Sequence, residues 1–198
     1  MTDFTLSRPA KKSLPDTVKV NGRDFFIHSD FRTMLKIFRM LEDPDVLDIH
    51  KDTLLVKWFF EDEAPENWVE AFENFARCGE PPAPKKAARE FDYEFDAPEI
   101  YASFLQLYGI DLLEEKPMHW WRFQILLSGC MAMETPLSEK LRIRRLDVSK
   151  CADKAAAQAA KDRVQLPLNV GQNEKIIMQE LEARLMRGED ISDLLERG

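Results

Sequence analysis

The segment that most constrains this chain is MHWWRFQILLSGCM, residues 118–131, directly after Pro117. It is apolar almost all round. A helix with no polar face cannot lie half in water, so other elements have to enclose it. The rest of the chain must therefore supply amphipathic elements that wrap a central helix. At 198 residues with 44% apolar content, the chain is long enough to do so as one domain without disulfide support. Its three cysteines, Cys78, Cys130 and Cys151, are widely spaced and form no CxxC motif, which argues against a disulfide scaffold or a zinc knuckle.

The remaining elements follow from spacing and punctuation. Residues 1–16 hold two prolines and few apolar groups, which predicts a disordered tail. Asn21-Gly22 separates two short alternating runs, and Asn-Gly supplies the positive φ that a two-residue hairpin needs. Asp30 is an N-cap for a helix over 31–42, with Phe31, Met34, Leu35, Phe38 and Leu41 on one face. A second helix is expected over about 48–60, burying Leu54, Leu55, Trp58 and Phe59. A third follows Pro65 with the stripe Trp68, Val69, Phe72, Phe75 and Ala76, stopped by Gly79.

EPPAPKKAAR, residues 80–89, reads as an extended proline-rich linker. FDYEF (91–95) alternates as a strand does and could pair with the hairpin. Asp96 then caps a helix that runs to Tyr108, with Ile100, Tyr101, Phe104, Leu105 and Tyr108 inward and Gly109 as its stop. After the central helix comes the basic amphipathic segment LSEKLRIRRL, then an alanine-rich helix over 153–166. Ile177, Leu181 and Leu185 form a narrow stripe on a last helix over 174–187. The predicted fold is α+β and mostly α-helical, with helices around a small N-terminal hairpin. The core domain spans 17–167, and 168–198 is a helical extension.

Charge is unevenly placed. Residues 42–80 hold twelve acidic and three basic side chains, and residues 90–115 hold eight acidic and no basic ones. Residues 140–150 hold five basic and one acidic. On a chain of net charge −8, this single basic stripe suits a partner in the chain's own acidic segments better than a polyanion. Arg142 and Arg145 lie three apart and can share a face. With Arg144, they are the residues that DNA binding would use.

Chemistry-bearing motifs are few. No GxGxxG, GxxxxGK[ST] or HExxH occurs, and His28, His50 and His119 are dispersed. His119 is expected at a helix start with a ring nitrogen on a carbonyl. The expected function is non-catalytic, with no cofactor and no metal. Adjacent Trp120 and Trp121 diverge by about 100° on a helix, which leaves one of them free to stay partly exposed. Aromatic side chains are enriched at binding hot spots, so Tyr108, Trp120, Trp121, Arg142 and Arg145 are the candidate partner-binding residues.

Several pieces resemble the bacteriophage gene-product-fifteen family. They are Asn21-Gly22 followed by Ile27-His28-Ser29-Asp30-Phe31-Arg32-Thr33, then Phe75-Ala76-Arg77-Cys78-Gly79, FLQLYGIDL at 104–112, HWWRF at 119–123 and RRLDVSKCADK at 144–154. Order and spacing agree over roughly 17–167. The alanine-rich 155–160 stands where the family has a more basic stretch, and 171–198 lies beyond the shared part. The resemblance implies a tail assembly chaperone of tailed phages or prophages, acting in the cytoplasm of the bacterial host. Its implied partners are the tape-measure protein and the tail-tube protein. Nucleic acid and membrane are not expected partners, and the sequence is compatible with a homo-oligomer. The alternative is a structural virion component, such as a tail-completion or connector protein.

Overall fold

A computed structural model describes residues 14–82, 90–114, 116–167, and 184, 186 and 187. The expected linker residues 83–89 and nearly all of the expected helix over 174–187, including its Ile177–Leu181–Leu185 stripe, lie outside the described residues. Among the described residues are one antiparallel hairpin and seven α-helices. The α+β, mostly helical class is therefore correct.

The hairpin pairs β1 (Thr17–Val20) with β2 (Arg23–Phe26), Val20 opposite Arg23. Asn21 and Gly22 both have positive φ, 51° and 81°, as the sequence requires. Residues 14–16, expected within a disordered tail, are packed instead. Leu14 lies against the core, and the Asp16 carbonyl accepts from Ile27 N at 3.1 Å. The strand ladder thus extends one step before the hairpin and holds the preceding backbone.

Helix α1 (Phe31–Glu42) buries Phe31, Met34, Ile37 and Met40. Leu35, Phe38 and Leu41 are only half-buried, so the inward face is turned toward Ile37 relative to the expected stripe. Helices α2 (Asp48–Phe59) and α3 (Trp68–Ala76) follow, with Leu55, Phe59, Phe72 and Phe75 buried. Leu54, Trp58 and Trp68 are half-buried, and Val69 is exposed, at the edge of its stripe.

Residues 91–95 are not a strand. The Asp92 carboxylate accepts from Glu94 N and Phe95 N at 2.7 and 2.6 Å, and Asp96 accepts from Asp92 N at 3.0 Å. Two aspartates bonding their own backbone wind the chain into a turn, which outcompetes the alternating pattern. Helix α4 (Ala97–Tyr108) leaves this turn and ends at Gly109, which is left-handed with φ 63°. It buries Ile100, Ser103 and Phe104, while Leu105, expected inward, is exposed.

Helix α5 (Trp120–Ala132) is central, as its composition demands, but it is not enclosed all round: Arg122, Ile125 and Ser128 keep one face exposed. It packs against α1, α4 and α6 (Pro136–Arg144) and buries five side chains, Cys130 among them. The Thr135 hydroxyl caps α6 by accepting from Ser138 N at 3.1 Å and donates to the Cys130 carbonyl at 2.6 Å. Helix α7 (Lys154–Val164) rests on α6 and buries none of its own side chains, as an alanine-rich segment would.

Candidate functional site: an apolar groove between α1 and α4

Four of the five segments singled out in the sequence meet at the start of α5. Phe31 N donates to the Met118 carbonyl at 2.9 Å, and Trp120 N donates to the Ser29 carbonyl at 2.7 Å. Asp30 carries two jobs. One carboxylate oxygen caps α1 through Arg32 N, and the other accepts from Met118 N, both at 2.9 Å. The indole N–H groups of Trp120 and Trp121 donate to the carbonyls of Ala76 and Phe75, each at 2.9 Å. Those carbonyls lie at the end of α3, where the regular helical ladder stops, and the Phe75 carbonyl also accepts from Cys78 N at 2.9 Å. From the fourth segment, the Leu112 carbonyl accepts from Arg32 Nη2 at 2.9 Å.

This arrangement corrects one expectation. Both tryptophans are buried, 1% and 4% exposed, so neither presents a ring to solvent. The two rings diverge, but α5 is enclosed on both sides, by Phe38 and Tyr93 around Trp120 and by Phe75 and His119 around Trp121. The largely apolar character of α5 is the sequence signal for this.

His119 is the N-cap of α5, as its sequence position suggested. Its Nδ1 accepts from Trp121 N at 3.0 Å, and Nε2 faces the Pro15 carbonyl at 2.8 Å. One nitrogen accepts while the other donates, which is the pattern of a neutral ring. Burial holds its pKa below the usual imidazole range, against the opposing pull of the Pro15 carbonyl and Asp16.

Tyr108 is half-buried, and its hydroxyl donates to the Leu126 carbonyl at 2.9 Å, joining α4 to α5. Gly129 makes room for it, because a Cβ there would collide with the Tyr108 hydroxyl. Burial pushes the Cys78 and Cys130 thiols up to about 12 and about 11, so neither is an activated nucleophile.

The basic stripe is engaged within the chain. Asp96, fully buried, accepts two bonds from Arg144 at 2.6 Å each and lies 2.8 Å from Lys140 Nζ. Lys140 also reaches Glu99 at 2.8 Å, and Arg145 pairs with Glu90. Arg142 pairs with Glu139 on its own helix. Arg142 and Arg145 do share a face. They border a polar cleft of about 1070 Å³ lined also by Gln106, Met133 and Asp147. That cleft lies at the end of α5, away from the tryptophans at its start.

An open apolar surface lies elsewhere, in a groove of about 300 Å³ between α1, α4 and the loop after α4. Buried Phe31, Ile100, Leu112 and Phe123 form its floor, with the Phe31 and Phe123 rings stacked 4.6 Å apart. Its walls are Leu35, Tyr93, Ala97 and Tyr101, and Leu113 stands 82% exposed at the rim. Arg32 pins the loop, its guanidinium over the Phe31 ring and its Nη2 on the Leu112 carbonyl. At the same loop, the Asp111 carboxylate accepts from Leu113 N at 2.9 Å. The Tyr101 hydroxyl is held above the usual phenol range by desolvation, by its hydrogen bond to Asp111 and by the charges of Asp111 and Glu114. Of these residues the sequence singled out only the helical spacings. Nothing in it places Leu35, Ala97 and Leu113 side by side.

A family model described as Bacteriophage Gp15 protein matches residues 11–166. The chain belongs to that family. Gp15 proteins are phage structural and assembly proteins rather than a family known for catalysis. The segments that converge on the start of α5 all lie inside the matched span, so the family's shared region contains both the α5 junction and the groove. No curated protein and no solved structure matches this chain. Among the described residues, no helix is long and apolar enough to cross a membrane, and no group of three His, Cys, Asp or Glu is placed to hold a metal ion.

Proposed function

We propose that this Gp15-family chain is a tail assembly chaperone that binds the phage tape-measure protein in the host cytoplasm and aids assembly of the tail tube. The observation that carries this reading is the open apolar groove on a phage assembly protein whose tryptophans and basic stripe are already engaged internally. A tape-measure chain presents long apolar helical stripes that associate with one another when unprotected. A groove floored by aromatic and aliphatic side chains covers such a stripe by helix-in-groove recognition. The net charge of −8 keeps a loaded complex dispersed.

Mass spectrometry of purified particles and of the infected-cell lysate tests the assignment. The chaperone reading expects the chain in the lysate and not at stoichiometric level in the particle. Stoichiometric presence in the particle would favour a tail-completion or connector role instead.

A further inference from the structure

The groove has an electrostatic direction as well as an apolar floor. Of the seven described acidic residues in 90–115, five pair with cations or hold the turn before α4. Glu90, Asp96 and Glu99 pair with the cations of α6, Asp92 holds the turn before α4, and Glu94 lies 3.7 Å from Arg39. Asp111 and Glu114 lie beside the groove-wall residue Tyr101, on the loop that carries Leu112 and Leu113, with Asp111 also accepting from Leu113 N. The nearest cation on α1, Arg32, is directed onto the Leu112 carbonyl and lies 3.6 Å from Asp30.

We propose that this groove takes aliphatic side chains from one face of an amphipathic helix that carries a lysine or arginine beside them, placed against Asp111 and Glu114. The apolar walls provide contact area, and the acidic loop sets the polarity of the occupant and its direction along the groove. A second copy of this chain fits poorly. It brings the same acidic loop and a net charge of −8, so like charges meet. The identity of the natural helix rests on the chaperone reading; the chemistry of the groove does not.

The test uses the full chain and two fluorescently labelled helical peptides. One is built of leucine, alanine and lysine, and in the other every lysine is replaced by glutamate. Fluorescence anisotropy should show the lysine peptide binding at least about tenfold more tightly, with the preference shrinking as salt is raised. Asp111→Asn with Glu114→Gln should abolish the preference, since Asn keeps the acceptor for Leu113 N. Ala97→Phe, which fills the groove from the exposed first residue of α4, should remove peptide binding altogether. Leu113→Ser, at a position too exposed to hold the fold, should weaken it. Equal binding of the two peptides, binding of neither, a preference that survives neutralisation, or binding indifferent to Ala97→Phe and Leu113→Ser would each overturn the proposal. If the Ala97→Phe chain still keeps the tape-measure protein soluble, the groove assignment fails and the chaperone reading stands. If the unmodified chain binds the peptide yet leaves the tape-measure protein insoluble, the reverse holds.

Discussion

At the start of α5, two neutral indole N–H groups close the carbonyl end of α3, and the contacts around them are aromatic. Along α6, a fully buried carboxylate gathers two cations from one helix and ties them to the turn before α4. The first junction bonds carbonyls at a helix end without burying a charge. The second buries charges and depends on each having its partner. Burial alone would lower the Lys140 pKa, but its bonds to Asp96 and Glu99 outweigh that and raise it. Both junctions consume side chains of the kind that recognition sites use, tryptophan in one and arginine in the other. What resembles a binding surface in composition is here the means of holding α3, α4 and α6 around α5.

Breaking the aromatic junction should have the largest effect. Trp120→Ala or Trp121→Ala removes a buried ring and its indole bond to a carbonyl of α3, and should cost about 4 kcal/mol in urea unfolding. Breaking the ionic junction should come next. Asp96→Asn leaves Lys140 and Arg144 facing each other with Glu99 alone and should cost about 3 kcal/mol. Because this cluster is buried, added salt should not restore the loss. Gly129→Ala should cost about 2 kcal/mol by displacing the Tyr108 hydroxyl, and Tyr108→Phe in the same chain should recover part of it.

Acid sharpens the contrast. The His119 pKa is lowered in the folded chain, so the unfolded chain binds the proton more readily. Stability is then fully present above the ordinary imidazole pKa and is lost as pH falls through it toward the folded value. Unfolding midpoints measured from about pH 7 down to about pH 5 should fall more steeply for the unmodified chain than for His119→Asn, which keeps a side-chain acceptor for Trp121 N. The smallest effect is expected on the exposed face of α6. Arg142→Ala removes only an exposed pair within one helix and should leave the melting temperature unchanged.

Much of the fold is legible in the residues because local chemistry decides it. Asn21-Gly22, Asp30 and Gly109 each set one boundary through a conformation or a bond they favour, and the largely apolar α5 announces its central place. Residues 91–95 are misread as a strand because Phe91, Tyr93 and Phe95 alternate with acids in a turn as well as in a sheet. Periodicity does not register that Asp92 and Asp96 bond to the backbone between them. The tryptophan pair is misread for a related reason. Divergence on a helix wheel shows that two rings point apart, not that protein waits on both sides. The groove is the least legible feature, since Leu35, Ala97 and Leu113 are brought together only by the packing of α4 and its following loop on α1.

The most direct test of the account is co-expression of the tape-measure protein with and without this chain, followed by separation of soluble and pelleted fractions. The account expects the tape-measure protein to move into the soluble fraction and to co-purify with this chain. Equal precipitation under both conditions would contradict it.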